Sequence, residues 1–286
     1  MMKSVKSYAK INISLHVKEK RPDGYHELDS LMLPLELHDS IVISPLYNRS
    51  DSFVTVDDFS NGLIHYNLAG TAIEAIEKKY GVHKSFRIYI HKNIPMQAGL
   101  GGGSSNAASI LKAINQILKF GASDEELIDI AAPLGADIPF FIKCKPSRCG
   151  GIGEKISPLE IKNNYYVLLV KPKEGVSTKE CFKLLDTELA YPKVDIDKVV
   201  EALRDGDDIK LAKYIGNSLQ PSAIKLVPEI QTIIDYLKEQ GLKIVMMSGS
   251  GSTVFAMSTN KNALKRIQHQ VDEEGKWFSE LTRVLK

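Results

Sequence analysis

The sequence predicts a mixed α and β protein of two domains. Apolar runs of strand length are interspersed with amphipathic stretches of helical period, and 43% of the 286 residues are hydrophobic, enough for a sizeable core. The polar, glycine-containing stretch Gly150 to Asn164 separates a first α and β series from a second. The divide is placed near residue 156, giving domains 1–155 and 156–286.

Taken in order, Lys6 to Val17 reads as the first strand, followed by Ile41 to Ser44 and Phe53 to Val56. Asn67 to Tyr80 reads as a helix with Leu68, Ala72, Ile73 and Ile76 on one face and Gly81 just past its end. Ser85 to His91 is the next strand, and it runs towards a glycine cluster that opens a helix. Ser123 to Ala132 begins with a capping box of Ser123 and Glu126 and stops at Pro133. After the divide come strand Tyr165 to Lys171 and a helix from Val227-Pro228, which carries Ile230, Ile233, Ile234 and Leu237 to Gly241. Strands Lys243 to Met247 and Val254 to Ser258, helix Asn260 to Glu274 and strand Arg283 to Leu285 complete the chain.

Charge and cysteine usage narrow the function. Lys and Arg total 37 against 35 Asp and Glu, a net charge of +2 without blocks of one sign, so neither nucleic acid nor an anionic membrane is the expected partner. No stretch approaches ~18 apolar residues, and a soluble cytoplasmic protein is expected. Cys144, Cys149 and Cys181 lack CxxC spacing and the seven histidines are scattered, which argues against structural zinc and a disulfide framework.

The chemistry concentrates at PMQAGLGGGSSNAA, Pro95 to Ala108. Glycines allow positive φ and close backbone approach, Ser104 and Ser105 can cap the helix that follows, and the helix's unpaired N–H groups and positive dipole end suit a phosphate. The spacing fits neither GxxxxGK[ST] nor GxGxxG, since Ser104 stands where the latter needs its last glycine. Four more segments carry candidate groups. Lys10 lies inside the first strand beside Ile11 and Ile13, where its ammonium must snorkel or meet an anion; by itself it reads as a solvated edge-strand charge. Asp137, between Gly135 and Pro139 and ahead of two phenylalanines, is either a helix N-cap or turn residue or a carboxylate with a perturbed pKa. MSGSGST, Met247 to Thr253, is either a tight hairpin turn or a second set of backbone donors. The turn Pro22-Asp23-Gly24 presents Tyr25 and His26, groups suited to a flat heterocycle.

In this order, YAKIN, PMQAGLGGGSSNAA and MSGSGSTVF resemble the three motifs of the GHMP kinases, the non-P-loop small-molecule kinases that include galactokinase, homoserine kinase and mevalonate kinase. RPDGYHEL and GADIPFF are similar to the branch acting on 4-diphosphocytidyl-2-C-methyl-D-erythritol, an intermediate of the non-mevalonate isoprenoid pathway. The resemblance implies a two-domain α+β fold with a left-handed βαβ crossover and a ligand cleft between the domains. It implies ATP on a loop comprising Pro95, Gly99, Leu100, Gly101, Gly102, Gly103, Ser104 and Ser105, with Mg²⁺ bridging the phosphates. The metal ligands are not evident.

Phosphoryl transfer to the 2-hydroxyl would then use Lys10 and Asp137 as the catalytic pair. Asn12, on the same strand face as Lys10, would bind substrate; Tyr25, His26 and Phe182 would read the cytosine; Gly249, Ser250 and Gly251 would lie against the diphosphate or the main phosphate loop. The expected partner is this cytidine diphosphate-linked small molecule, with the protein a monomer or weak homodimer. The alternatives are a same-fold kinase of mevalonate or homoserine, a decarboxylase relative, or a non-catalytic ATP-dependent sensor.

Overall fold

The structure, a computed structural model, describes residues 2–46, 52–57, 67–188 and 191–286. The elements begin with β1 (Lys3–Lys20), β2 (His26–Leu46), β3 (Phe53–Asp57), α1 (Asn67–Tyr80), β4 (Ser85–His91), α2 (Gly102–Leu118), α3 (Asp124–Ala131) and α4 (Ile138–Lys143). They continue with β5 (Ser147–Gly151), β6 (Lys155–Pro158), β7 (Tyr166–Lys171), α5 (Thr178–Leu185), α6 (Ile196–Asp205), α7 (Asp208–Tyr214) and α8 (Gln220–Leu226). The last are α9 (Glu229–Glu239), β8 (Ile244–Met247), β9 (Val254–Ser258), α10 (Lys261–Glu274) and β10 (Phe278–Arg283).

The chain forms two compact units that are not its two consecutive halves. One comprises Met1–Ala9, Leu37–Pro95 and Gly101–Cys144; the other comprises Lys10–Glu36, Met96–Leu100 and Lys145–Lys286. A single cut near residue 156 therefore does not reproduce this division. The physical reason is that β1 and β2 are 18 and 21 residues long, so each contributes residues to both units.

In the first unit β4 is flanked by β3 in parallel, Phe53 opposite Arg87, and by the end of β2 in antiparallel, Ile41 opposite Ile90. Adjacent parallel strands require a crossover, and α1 supplies it. Ile41, Ile43, Phe86, Ile88 and Ile90 form the buried sheet face, with Ala72, Ile73 and Ile76 of α1 and Ile110, Leu111 and Ile114 of α2 also buried. The capping box at Ser123 forms as expected, with Ser123 and Glu126 each bonding the other's backbone N–H.

The second unit holds an antiparallel sheet in the order β10–β7–β9–β8. Its buried core gathers Leu168 and Val170 of β7, Val254 and Ala256 of β9, Ile230, Ile233, Ile234 and Leu237 of α9, and Leu264 and Ile267 of α10, together with Leu15 and Val17 of β1. The start of β2 pairs with β5, Leu28 opposite Gly151, and β5 with β6. The last strand is Phe278–Arg283, earlier than Arg283 to Leu285, because that register brings Leu281 opposite Leu168; Val284 and Leu285 instead make single backbone bonds to Tyr165 and Pro34.

Candidate active site

Within the second unit, β1 carries Lys10 and Asn12 two residues apart, and therefore on one strand face. Both side chains are buried, each residue only 3% exposed, which sets aside the reading of Lys10 as a solvated edge charge. Lys10 Nζ donates to Asn12 Oδ1, and Asn12 Nδ2 donates to Ser30 Oγ at 2.8 Å, so the amide's orientation is fixed from both sides. The Asn12 backbone N–H reaches Ser248 Oγ at 3.1 Å, and that hydroxyl donates to Gly99 O at 2.9 Å. Lys10 N–H donates to Leu100 O at 3.0 Å. The first strand, the end of the first glycine loop and the second glycine loop are thus one hydrogen-bonded assembly.

Two glycines are required by this packing. Gly99 has φ 72°, and a Cβ there would stand 2.1 Å from Ser248 O, inside any possible contact. Gly249 has φ 59°, and its Cβ would lie 3.1 Å from Asn12 Oδ1 and 3.4 Å from Lys10 Nζ. MSGSGST forms the hairpin turn that its sequence allowed. It closes the β8–β9 hairpin, with Met247 opposite Val254, and it presents backbone beside a buried ammonium. Asn217 holds its shape, donating through Nδ2 to Met247 O at 2.9 Å and Gly249 O at 2.8 Å, while Thr178 Oγ1 lies 2.8 Å from Ser250 Oγ.

In the first unit the glycine loop continues as Gly101, which has φ 69° and is the N-cap of α2 with no side-chain cap bond. This corrects the expectation that Ser104 and Ser105 cap the helix: Gly101 in the left-handed region starts the helix early enough that both serines fall inside it. The N–H groups of Gly102, Gly103 and Ser104 have no intrahelical acceptor and no side-chain cap, the arrangement an anion can use. Ser105 instead points into a buried network. Its Oγ accepts from Ser7 Oγ at 2.8 Å, Ser7 Oγ accepts from Asn106 Nδ2 at 2.8 Å, and Asn106 Nδ2 also donates to Asp39 Oδ2 at 2.9 Å.

Asp39 further accepts the backbone N–H of Asn93 at 2.8 Å and of Ile94 at 2.9 Å, and pairs with Lys92. A Cβ on Gly102 would lie 3.1 Å from Lys92 Nζ. Asp39 and Lys92 thus brace the run into Pro95. Sequence reading missed them; the available signal was a lysine and asparagine placed directly before Ile94-Pro95 at the end of a strand. Asp137 occupies the N-cap position of α4 but makes no capping bond, and its side chain is half-buried, so the N-cap reading describes its place and not its use.

The second unit also holds an aromatic cluster. Tyr25 is 59% exposed, whereas His26 is buried and stacks on Phe182 with ring centroids 4.7 Å apart and planes at 27°. His26 Nε2 meets Asp186 Oδ1 at 2.7 Å; Tyr191 donates to the same oxygen at 2.8 Å and Lys20 to Oδ2 at 2.5 Å. Burial works to raise the pKa of Asp186, but the bonds from Lys20, His26 and Tyr191 prevail and bring it down to about 2. Tyr191 is pushed up to about 12, by burial first and then by the adjacent carboxylate. Of the residues expected to face a base, His26 and Phe182 are therefore brought together, and Tyr25 stands at the surface. Asp186, Tyr191 and Lys20 were not anticipated, because nothing local marks them.

Comparison with known proteins places these features in context. The model of the GHMP kinases N terminal domain matches residues 67–145 and that of the GHMP kinases C terminal domain matches 199–276. A 4-diphosphocytidyl-2-C-methyl-D-erythritol kinase of Geobacillus sp. (strain WCH70) is 37% identical over 263 residues, covering 92% of this chain and 90% of the relative. The protein of that name from Clostridium beijerinckii is 38% identical, covering 88% and 90%. Among solved structures, a 4-(cytidine 5'-diphospho)-2C-methyl-D-erythritol kinase superposes with TM-score 0.80 at 30% identity, covering 99% of this chain and 100% of that one. A homoserine kinase from Cytophaga hutchinsonii, at 16% identity and TM-score 0.72 over 99% and 94% of the two chains, shares the fold.

Proposed function

The chain belongs to the GHMP kinases, and on that premise we propose that it transfers the γ-phosphoryl group of ATP to the 2-hydroxyl of 4-diphosphocytidyl-2-C-methyl-D-erythritol. The observation that favours this substrate over mevalonate or homoserine is the pair His26 and Phe182 held by Asp186, since an alcohol without a nucleobase has no use for two clamped rings. The relatives that match over nine tenths of the chain support the same choice.

The donors for ATP phosphates are the uncapped N–H groups of Gly102, Gly103 and Ser104, with Pro95, Gly99, Leu100, Gly101 and Ser105 shaping the loop. Those uncapped N–H groups fit a polyphosphate. Among the described residues no group of three or more His, Cys, Asp and Glu could hold a metal ion, so Mg²⁺ would be held through phosphate oxygens and water. When bound it neutralises phosphate charge.

The chain's own chemistry is positioning and charge. Asp137 takes or orients the proton of the attacking hydroxyl, and Lys10 offsets charge on the entering oxygen. Asn12 hydrogen-bonds the substrate, with its amide turned by Ser30 so that its oxygen faces Lys10. Gly249, Ser250 and Gly251 lie against phosphate, and Tyr25, His26 and Phe182 receive the base. A non-catalytic sensor has no need of both Lys10 and Asp137, and release of CO₂ on turnover is the sign of a decarboxylase.

The test is incubation with MgATP and a panel of alcohols, followed by mass spectrometry of the product. The expected result is phosphorylation of the cytidine diphosphate-linked substrate alone; phosphorylation of mevalonate or homoserine in its place would overturn the reading.

A further inference from the structure

We propose that Gln97 is a positioning residue for phosphoryl transfer: its side chain, packed on Gly175, ties the tip of the first glycine loop to the turn that leads into α5. The inference rests on the reading that this loop serves the phosphates of ATP. Among the described residues, the non-glycine residues with positive φ are Gln97 at 49°, Lys119 at 55° and Cys144 at 49°. Lys119 and Cys144 are the C-caps of α2 and α4, where a left-handed residue closes a helix. Gln97 closes none, since β4 ends at His91 and α2 starts at Gly102. Glycine would take this φ without strain, so what Gln97 adds to the loop resides in its side chain.

That side chain lies directly on another glycine. A Cβ at Gly175 would stand 2.9 Å from Gln97 Cβ and 2.9 Å from Gln97 Oε1, so the glutamine fills the space that a side chain at 175 would need. Gly175 belongs to the turn between β7 and α5, and the second glycine loop holds the same turn. Ser252 Oγ donates to Glu174 O at 2.6 Å, and Thr178 Oγ1 lies 2.8 Å from Ser250 Oγ. Residues 174–178 thus join the two glycine loops, meeting the first through Gln97 and the second through Ser250 and Ser252.

The tip Met96 to Leu100 runs straight into Gly101, the N-cap of α2. A tip free to shift would carry the phosphoryl donor out of line with the acceptor hydroxyl, and misplacement by about 1 Å can lower a rate about 10²-fold. Gln97 therefore acts on turnover by holding the loop, without touching the reacting atoms.

The experiment measures steady-state kinetics, with MgATP and the cytidine diphosphate-linked alcohol, and thermal unfolding of Gln97→Gly and Gln97→Met. Gln97→Gly relieves the backbone and deletes the contact. Its kcat is expected to fall about tenfold or more, with a Tm no lower than that of the wild type. Gln97→Met restores an unbranched side chain of similar length and should recover most of that loss. Normal turnover by Gln97→Gly overturns the inference, and so does a fall in Tm alongside the lost activity, because a general structural role would lower both. A Met variant as slow as the Gly variant overturns it as well.

A double-variant cycle tests the contact itself. Gly175→Ala should lower kcat about tenfold in the wild-type background, where its methyl meets Gln97, and add little in the Gln97→Gly background. Equal losses in the two backgrounds overturn the inference. If the wild type phosphorylates mevalonate or homoserine in place of the cytidine form, the substrate reading fails and the same variants decide the inference with that alcohol. If it phosphorylates no alcohol, both fail.

Discussion

The contact of Gly99 with Ser248 and the His26 cluster lie in one unit of the molecule and are built from opposite materials. Where Gly99 meets Ser248 the surfaces are backbone against backbone, and the space for a side chain at Gly99 is already taken by a carbonyl 2.1 Å from its would-be Cβ. In the His26 cluster side chain meets side chain: His26 meets Phe182, Tyr191 and Asp186, and Asp186 also accepts from Tyr191 and Lys20. Backbone can grip any polyphosphate, and all kinases of the fold need that. Side chains can be exchanged one at a time, which is how one fold comes to serve different alcohols.

The sharpest way to break this contrast is at the chemistry itself. Asp137→Asn is expected to lower kcat by about 10²–10⁴-fold while KM for ATP stays nearly unchanged, as steady-state kinetics would register. Normal turnover by that variant removes Asp137 from the mechanism. The next largest effect is at the backbone contact, where Gly99→Ala should destabilise the protein by about 2–4 kcal/mol and abolish nucleotide binding. Gly24, in the turn ahead of Tyr25, has φ 86° but open space around it, so Gly24→Ala should cost only about 1 kcal/mol. Denaturant unfolding of both variants compares them directly. Equal costs would mean that the Ser248 carbonyl yields and the packing argument is wrong.

At the side-chain end, Phe182→Ala should raise KM for the cytidine substrate about tenfold or more, with KM for ATP unmoved. A matching rise in both would show that Phe182 supports the unit in general. The smallest effect concerns pH. The Asp186 pKa in the folded protein is about 2, below the ~3.9 of an unfolded chain, so its contribution to stability is present above about pH 4 and is lost as pH falls towards 2. Urea titrations should show the stability gap between wild type and Asp186→Asn shrinking through that window; a gap independent of pH would contradict the depressed value.

Much of this molecule is legible before any coordinates. Ser85–His91 and Val254–Ser258 are found to the residue because each is a short, strongly apolar run between clear breakers. Asn67–Tyr80 is found equally well from its apolar face and the glycine after it. The strand from His26 was anticipated only at its far end, because His26 to Asp29 mix charge with apolar residues; long-range pairing with β5 overrides local preference there. Helices α4 to α8 are too short for periodicity to stand out, the longest being 10 residues. The site divides in the same way. Glycines and serines in sequence announce the proposed phosphate loop, whereas Asp186 is 160 residues from His26 and Asp39 is 53 from Lys92. Such pairs are written in the fold, and no short window of sequence holds both partners.

The Ser248 hydroxyl bonded to Gly99 O has a consequence for synthesis. These residues are separated by 149 positions, so a growing polypeptide displays Met96 to Leu100 long before their counterpart exists. At about 5–20 residues per second the wait is roughly 7–30 s. On the proposed reading a nucleotide therefore has no finished seat on a nascent chain until Ser248 has been translated.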